Sequence, residues 1–179
     1  MTRAIGFATL TILALLAIGR AIGLNVNLTE SAPEGIWITQ PANSIARGIL
    51  VAVCPPSEPV VTLLRDRGHL RYGDCQDTEV QPLLKAVAAT SGDTVLLREG
   101  FPAIVNGKEL PNTTAQARIP RWPDGEYKVS PNEIWIFSTY SEKSFDSRYF
   151  GPVPINNVRE KAAPVLVNGP AENMTRGIQ

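Results

Sequence analysis

Leu83-Leu84-Lys85-Ala86-Val87-Ala88, closed by Ser91-Gly92-Asp93 and resumed by Thr94-Val95-Leu96-Leu97-Arg98, is an apolar run broken by one cation and one turn. Apolar stretches this short, bounded by turn residues, read as strands rather than helices. The same pattern marks Gly35 to Thr39, Gly48 to Val53, Ala103 to Val105 and Ile134 to Ser138. Fifteen prolines and 14 glycines punctuate these runs, and Val105-Asn106-Gly107-Lys108 holds the Asn-Gly pair favoured in a two-residue hairpin turn. Few stretches carry a helical period. The prediction is a mainly β fold, built as antiparallel sheets or a partly open barrel.

Outward from these strands, the chain between Pro55 and Pro82 is polar and turn-rich, with Val60 to Leu64 as one short helix or strand. It reads as a peripheral excursion. Cys54 and Cys75, the only cysteines, flank most of it. An even count in an exported domain is explained by one disulfide, whose loop of about 20 residues is worth roughly 3 kcal/mol in the chain-entropy picture. Two unrelated buried thiols are the other reading. Two cysteines and one histidine fall short of a four-ligand zinc site, so neither a metal nor a cofactor is expected. Residues 168–179 lack an apolar period and read as a loose C-terminal tail.

Residues 4–18 form an uncharged apolar run behind Arg3, and the apolar character resumes after Arg20 with Ala21-Ile22-Gly23-Leu24. This predicts one N-terminal transmembrane helix over residues 1–24. Because the unbroken part falls short of about 20 residues, a cleavable secretory signal is the alternative. Arg3 favours a cytoplasmic N-terminus. Either reading places residues 25–167, one domain, outside the cytoplasm. Lys and Arg total 17 and Asp and Glu total 17, without a long run of either sign. That balance argues against a nucleic-acid partner, since phosphate binding relies on excess positive charge.

The chain holds a single histidine, His69, in the polar stretch Asp66-Arg67-Gly68-His69-Leu70-Arg71. A Ser-His-Asp arrangement would rest on that one loop residue. A Ser-Lys dyad needs no histidine. Ser31, in Ser31-Ala32-Pro33-Glu34-Gly35, lies in a turn just beyond the apolar segment and before the strand Ile36-Trp37-Ile38. Lys85 sits among Leu83, Leu84, Ala86 and Val87, the surroundings that disfavour an ammonium and lower a lysine pKa. Serines at 44, 57, 91, 130, 138, 141, 144 and 147 compete with Ser31, and context alone selects it.

Four segments occur in order: Thr29 to Trp37, Arg47-Gly48-Ile49-Leu50-Val51, Leu84-Lys85-Ala86-Val87 with Gly92-Asp93-Thr94-Val95, and Ser144-Phe145-Asp146-Ser147-Arg148-Tyr149-Phe150-Gly151-Pro152-Val153. Together they resemble the motifs of the type I signal peptidase family (peptidase S26), in particular its short TraF-type members from conjugative plasmids. The last segment is the most specific. Two departures stand out: Ile49 replaces an acidic residue, and Pro33 follows Ser31 by two positions where longer members have three. The resemblance implies Ser31 as nucleophile and Lys85 as base. It implies the Ser31 N–H and the Thr29 hydroxyl as oxyanion donors, Ser144 as a hydrogen-bond partner that orients Lys85, and Asp146 with Arg148 as a supporting ion pair. Direct participation of Asp146 is the sharper form of that last role.

The resemblance and the apolar N-terminus together predict a membrane-anchored serine endopeptidase of the bacterial inner membrane, with its catalytic domain in the periplasm. The expected partner is a precursor protein, the pilin of a conjugative type IV secretion system, lying as an extended strand near Lys85. Hydrolysis and cyclisation of the pilin both remain open. So do a general signal peptidase, a non-catalytic envelope scaffold and, less favoured for want of any need to be exported, a repressor-type autoprotease. Ile36-Trp37-Ile38 reads either as a lipid-dipping edge or as a core strand. The triplets Asn27-Leu28-Thr29 and Asn112-Thr113-Thr114 fit a glycosylation pattern and read as chance.

Overall fold

The computed structural model describes residues 14, 19 and 21–178. The expected membrane helix lies almost wholly outside these residues. Among the described residues no helix is long and apolar enough to cross a membrane.

The apolar character of residues 83–89, interrupted only by Lys85, is explained by where that strand lies. Strand β4 (Leu83–Ala89) runs inside a seven-stranded sheet, flanked by β3 (Leu50–Val53) and β9 (Glu133–Phe137). Ala86 and Ala88 meet a cluster containing Trp37, Trp135, Phe137 and Met174. Val87 meets a second cluster containing Val51, Val53, Ile134, Ile136 and Phe150. A strand apolar on both faces is one buried on both faces, and each large side chain so buried contributes about 1.5–3 kcal/mol.

The rest of that sheet is β1 (Leu24–Asn27), β2 (Glu34–Pro41), β10 (Val153–Pro154) and β11 (Val158–Asn168), in the order β1-β2-β11-β3-β4-β9-β10. A four-stranded sheet holds β5 (Thr94–Leu97), β6 (Ile104–Val105), β7 (Lys108–Glu109) and β8 (Gly125–Lys128), ordered β7-β6-β5-β8. The strand pairs are antiparallel, as expected. Asn106 and Gly107 turn between β6 and β7 with φ of 49° and 78°, the left-handed pair that a type I′ hairpin requires.

β11 crosses the sequence order to lie between β2 and β3, with bulges between Val158 and Glu160 and between Pro164 and Leu166. It comes closest to β2 at Gly35, where a Cβ would sit 2.2 Å from the Leu166 carbonyl oxygen. Only glycine fits there.

The Pro55–Pro82 excursion carries helix α1 (Pro59–Asp66), which buries Val60, Val61 and Leu64. The Cys54–Cys75 disulfide is present, with a Cα separation of 5.5 Å, and ties the excursion to the end of β3. The C-terminal stretch departs from expectation. Residues Ala171–Thr175 form a 3-10 turn, Met174 and Ile178 are fully buried, and Arg47 Nη2 donates to the Ile178 carbonyl at 2.6 Å. Two apolar side chains in a polar sequence are too few to show a period, yet enough to anchor it.

Candidate active site

Ser31 lies at the tip of the β1–β2 hairpin, in the connection from Leu28 to Pro33. That tip is held by side chains from several elements. Asn27, which ends β1, donates through Nδ2 to the carbonyls of Thr29, Ala32 and Pro33, each at 3.1 Å. Trp37 Nε1 donates to the Pro33 carbonyl at 3.1 Å from within the core. Ser138, just past β9, donates through Oγ to the Ser31 carbonyl at 2.9 Å.

Lys85 approaches from β4, 2 % exposed. Its Nζ stands 3.1 Å from Ser31 Oγ and 3.1 Å from the Leu84 carbonyl. Burial pushes the Lys85 pKa down to about 8, with Asp146 pulling it up and Arg148 pushing it down as lesser influences. A neutral amine can accept the Ser31 hydroxyl proton through its lone pair while donating to Leu84. Thr29 Oγ1 lies 3.3 Å from Ser31 Oγ.

Behind this pair, Asp146 and Arg148 are buried together at the start of helix α2 (Ser147–Phe150). Asp146 Oδ1 accepts from the Arg148 N–H at 3.3 Å and from Arg148 Nε at 2.8 Å. Its Oδ2 accepts from the Ser138 N–H at 3.0 Å and Arg148 Nη2 at 2.9 Å. The remaining guanidinium hydrogens reach the carbonyls of Thr114, Glu142 and Ser138 at 3.2, 3.3 and 3.4 Å. Both ions are saturated, the condition under which a buried pair is tolerated.

The sequence profile of the family described as "Signal peptidase, peptidase S26" matches residues 1–167. The chain belongs to that family. Among its relatives is the conjugal transfer protein TraF of Agrobacterium tumefaciens (strain 15955), 36% identical over 169 residues, spanning 91% of this chain and 93% of that protein. The probable conjugal transfer protein TraF of Sinorhizobium fredii (strain NBRC 101917 / NGR234) is 35% identical, spanning 93% and 90%. A plasmid transfer protein TraF of Escherichia coli is 31% identical, spanning 86% and 88%. A signal peptidase I from Enterococcus faecalis V583 aligns over 66% of this chain and 97% of its own, at 18% identity and a TM-score of 0.39.

Of the residues singled out in the sequence, Ser31, Lys85 and Thr29 meet directly, with Asp146 and Arg148 behind them. Ser144 departs from the expected role. Its Oγ is buried and makes no hydrogen bond among the described residues, because the Lys85 amine turns to Ser31 and Leu84 instead. His69 is exposed in the excursion, its backbone N–H bonded to the Leu64 carbonyl at 2.9 Å. Asn27 and Ser138 are the members that sequence reasoning does not assign. An Asn two residues before a Thr is a pattern of local turns. Ser138 carries no such signal, since its partner Ser31 lies 107 residues away.

Ile36-Trp37-Ile38 is a core strand on one face and open on the other. Trp37 is buried at 2 % exposure, whereas Ile36 faces out. Val26 and Leu166 flank Ile36 by strand register, and with Leu28 and Val165 they leave an apolar rim beside the Ser31 turn.

Proposed function

We propose that this chain is a membrane-anchored serine endopeptidase of the bacterial inner membrane that processes, in the periplasm, the pilin precursor of a conjugative type IV secretion system. The observation that carries the reading is the 3.1 Å contact between Ser31 Oγ and a buried Lys85 whose pKa is down at about 8. A serine hydroxyl is a weak nucleophile until a base removes its proton during attack.

Ser31 Oγ attacks the scissile carbonyl carbon as Lys85 takes the hydroxyl proton. The carbonyl π electrons move onto oxygen, where the Ser31 N–H and the Thr29 hydroxyl meet the charge. Collapse expels the amine, which leaves with the proton from Lys85. Water then releases the acyl group as an acid, or an amine of the pilin itself releases it as a cyclic product. Asp146, its lone pairs already taken, serves as an anchor rather than as a second base.

An extended substrate is supported by β4. Val87 exchanges backbone bonds with Gly48 and Ile49 on the β3 side, so by strand periodicity Leu84 and Ala86 turn theirs toward β9. Pairing with β9 begins only at Ala86, opposite Phe137. Leu84 thus offers its backbone to an incoming strand beside the dyad. The apolar rim of Val26, Leu28, Ile36, Val165 and Leu166 suits a surface close to lipid, and the TraF relatives are named for conjugal and plasmid transfer.

The test is mass spectrometry of the candidate pilin precursor from the same transfer region, co-expressed with the intact protein or with folded Ser31→Ala and Lys85→Ala variants. A shortened product only with the intact protein is expected. A further loss of one water marks cyclisation. Equal processing by both variants would leave a non-catalytic scaffold as the better account.

A further inference from the structure

Asn27, in the triplet Asn27-Leu28-Thr29, occupies a place in the site that the dyad alone does not explain. Its Nδ2 donates to three carbonyls. Reversing the amide would set its oxygen against those three carbonyl oxygens, so the orientation is fixed by chemistry. Oδ1 is left facing Thr29, where it accepts the backbone N–H at 3.2 Å and the hydroxyl at 2.7 Å. Thr29 Oγ1 also lies 3.3 Å from Ser31 Oγ. A hydroxyl has one hydrogen, and the shorter contact claims it. In the resting site Thr29 therefore presents lone pairs to Ser31, not a donor.

Resting on the Ser-Lys reading above, we infer that Asn27 is a positioning residue that parks the Thr29 hydroxyl hydrogen in the ground state and yields it to the oxyanion. While parked, that hydrogen leaves the Ser31 lone pairs unoccupied, and the Ser31 hydrogen points at Lys85. When negative charge forms on the substrate oxygen, rotation about the Thr29 Cβ–Oγ1 bond exchanges a neutral acceptor for an anionic one. Hydrogen bonds to an ion are roughly twice as strong as neutral ones, so the exchange is favourable only once charge develops. An interaction realised only in the transition state raises kcat rather than lowering KM. The amide arm meanwhile holds the turn from Thr29 to Pro33 in the geometry the rotation needs.

The test is a double-mutant cycle on the full-length protein with the same purified pilin precursor, comparing Asn27→Ala, Thr29→Val and the double variant. Thr29→Val is expected to lower kcat about 100-fold at unchanged KM, the scale of losing one oxyanion donor. Asn27→Ala is expected to lower kcat about 10-fold, and the double variant to lose clearly less than the product of the two single losses. Multiplying losses, a loss confined to KM, or full activity in Asn27→Ala would overturn the inference. If Asn27→Ala does not fold, the structure of a tetrahedral peptide boronate adduct on Ser31 of the unaltered protein decides. Thr29 Oγ1 should then lie about 2.7–3.1 Å from an adduct oxygen, with its own position beside Asn27 kept, since the rotation moves only the hydrogen. An adduct oxygen beyond hydrogen-bond reach of Thr29 Oγ1, or a Thr29 Oγ1 displaced from Asn27, would sink the proposal. Failure of the underlying reading looks different: Ser31→Ala and Lys85→Ala would both still process the precursor.

Discussion

The Ser31 turn and the Pro55–Pro82 excursion both leave the same sheet, yet they are fastened by different physics. The turn is held by directional bonds from Asn27, Trp37, Ser138 and Lys85, each from a different part of the sheet or its edge. The excursion is held by one disulfide and by the burial of Val60, Val61, Leu64, Leu70 and Val80. Its ion pairs, Arg65 with Asp66 and Glu79 and Arg159 with Asp74, are exposed on at least one partner and contribute little. Burial and a covalent link fix where a segment lies. Only directional bonds fix where a hydroxyl points: at the Ser31 turn side chains from across the sheet supply them, whereas in the excursion most are its own backbone bonds.

The largest expected effect comes from that contrast. Asp146→Ala would strand Arg148 in the core without its partner, a loss of about 3–5 kcal/mol in denaturant unfolding together with loss of processing. A loss below about 1 kcal/mol would mean that the polar network does not hold the site. Next, replacing Cys54 and Cys75 together by serine should lower stability by about 3 kcal/mol and leave processing per folded molecule intact. A collapse of processing in the folded variant would break the comparison, because the excursion would then reach the chemistry.

Lys85→Met reverses the sign. The folded pKa is about 8 and the unfolded value about 10.5, so between them the unfolded chain binds more protons and stability rises with pH. Below pH 8 the full penalty for burying the amine is present. Methionine fills similar space without the charge, so the variant should gain about 1–2 kcal/mol at pH 7, the lost bonds to Ser31 and Leu84 offsetting part of a penalty of about 3 kcal/mol. That gain should shrink as the pH approaches about 10.5. Processing by the intact protein should rise with pH toward a half-maximum near 8. A stability gain independent of pH would show that Lys85 is not the titrating group.

Strand β4 and the Asn106-Gly107 hairpin were legible because burial on both faces, and positive φ, each demand particular residues. Strand β11 was not, although it joins β2 to β3. Its sequence, Val-Arg-Glu-Lys-Ala-Ala-Pro-Val-Leu-Val-Asn, mixes charges and a proline, and two bulges break its alternation. Ser31, Lys85 and the Asp146–Arg148 pair were readable through family motifs. The Ser144 contact expected from the same motif is not made. Asn27 and Ser138 act through backbone carbonyls, which any sequence supplies, so only their placement reveals the role.

The smallest expected effect belongs to His69, and its smallness is informative. A serine nucleophile is weak without its base, so a catalytic His69 would be indispensable to processing. Its side chain is exposed, and the contact that anchors it locally is made by its backbone N–H to Leu64. His69→Ala should therefore leave the melting temperature and the processing rate unchanged across pH 6 to 9. The excursion carrying it would then be fastened to the sheet without serving the chemistry proposed for Ser31. Loss of processing in a folded His69→Ala variant would return the base from Lys85 to histidine, and the division between an aimed turn and a merely anchored excursion would fall with it.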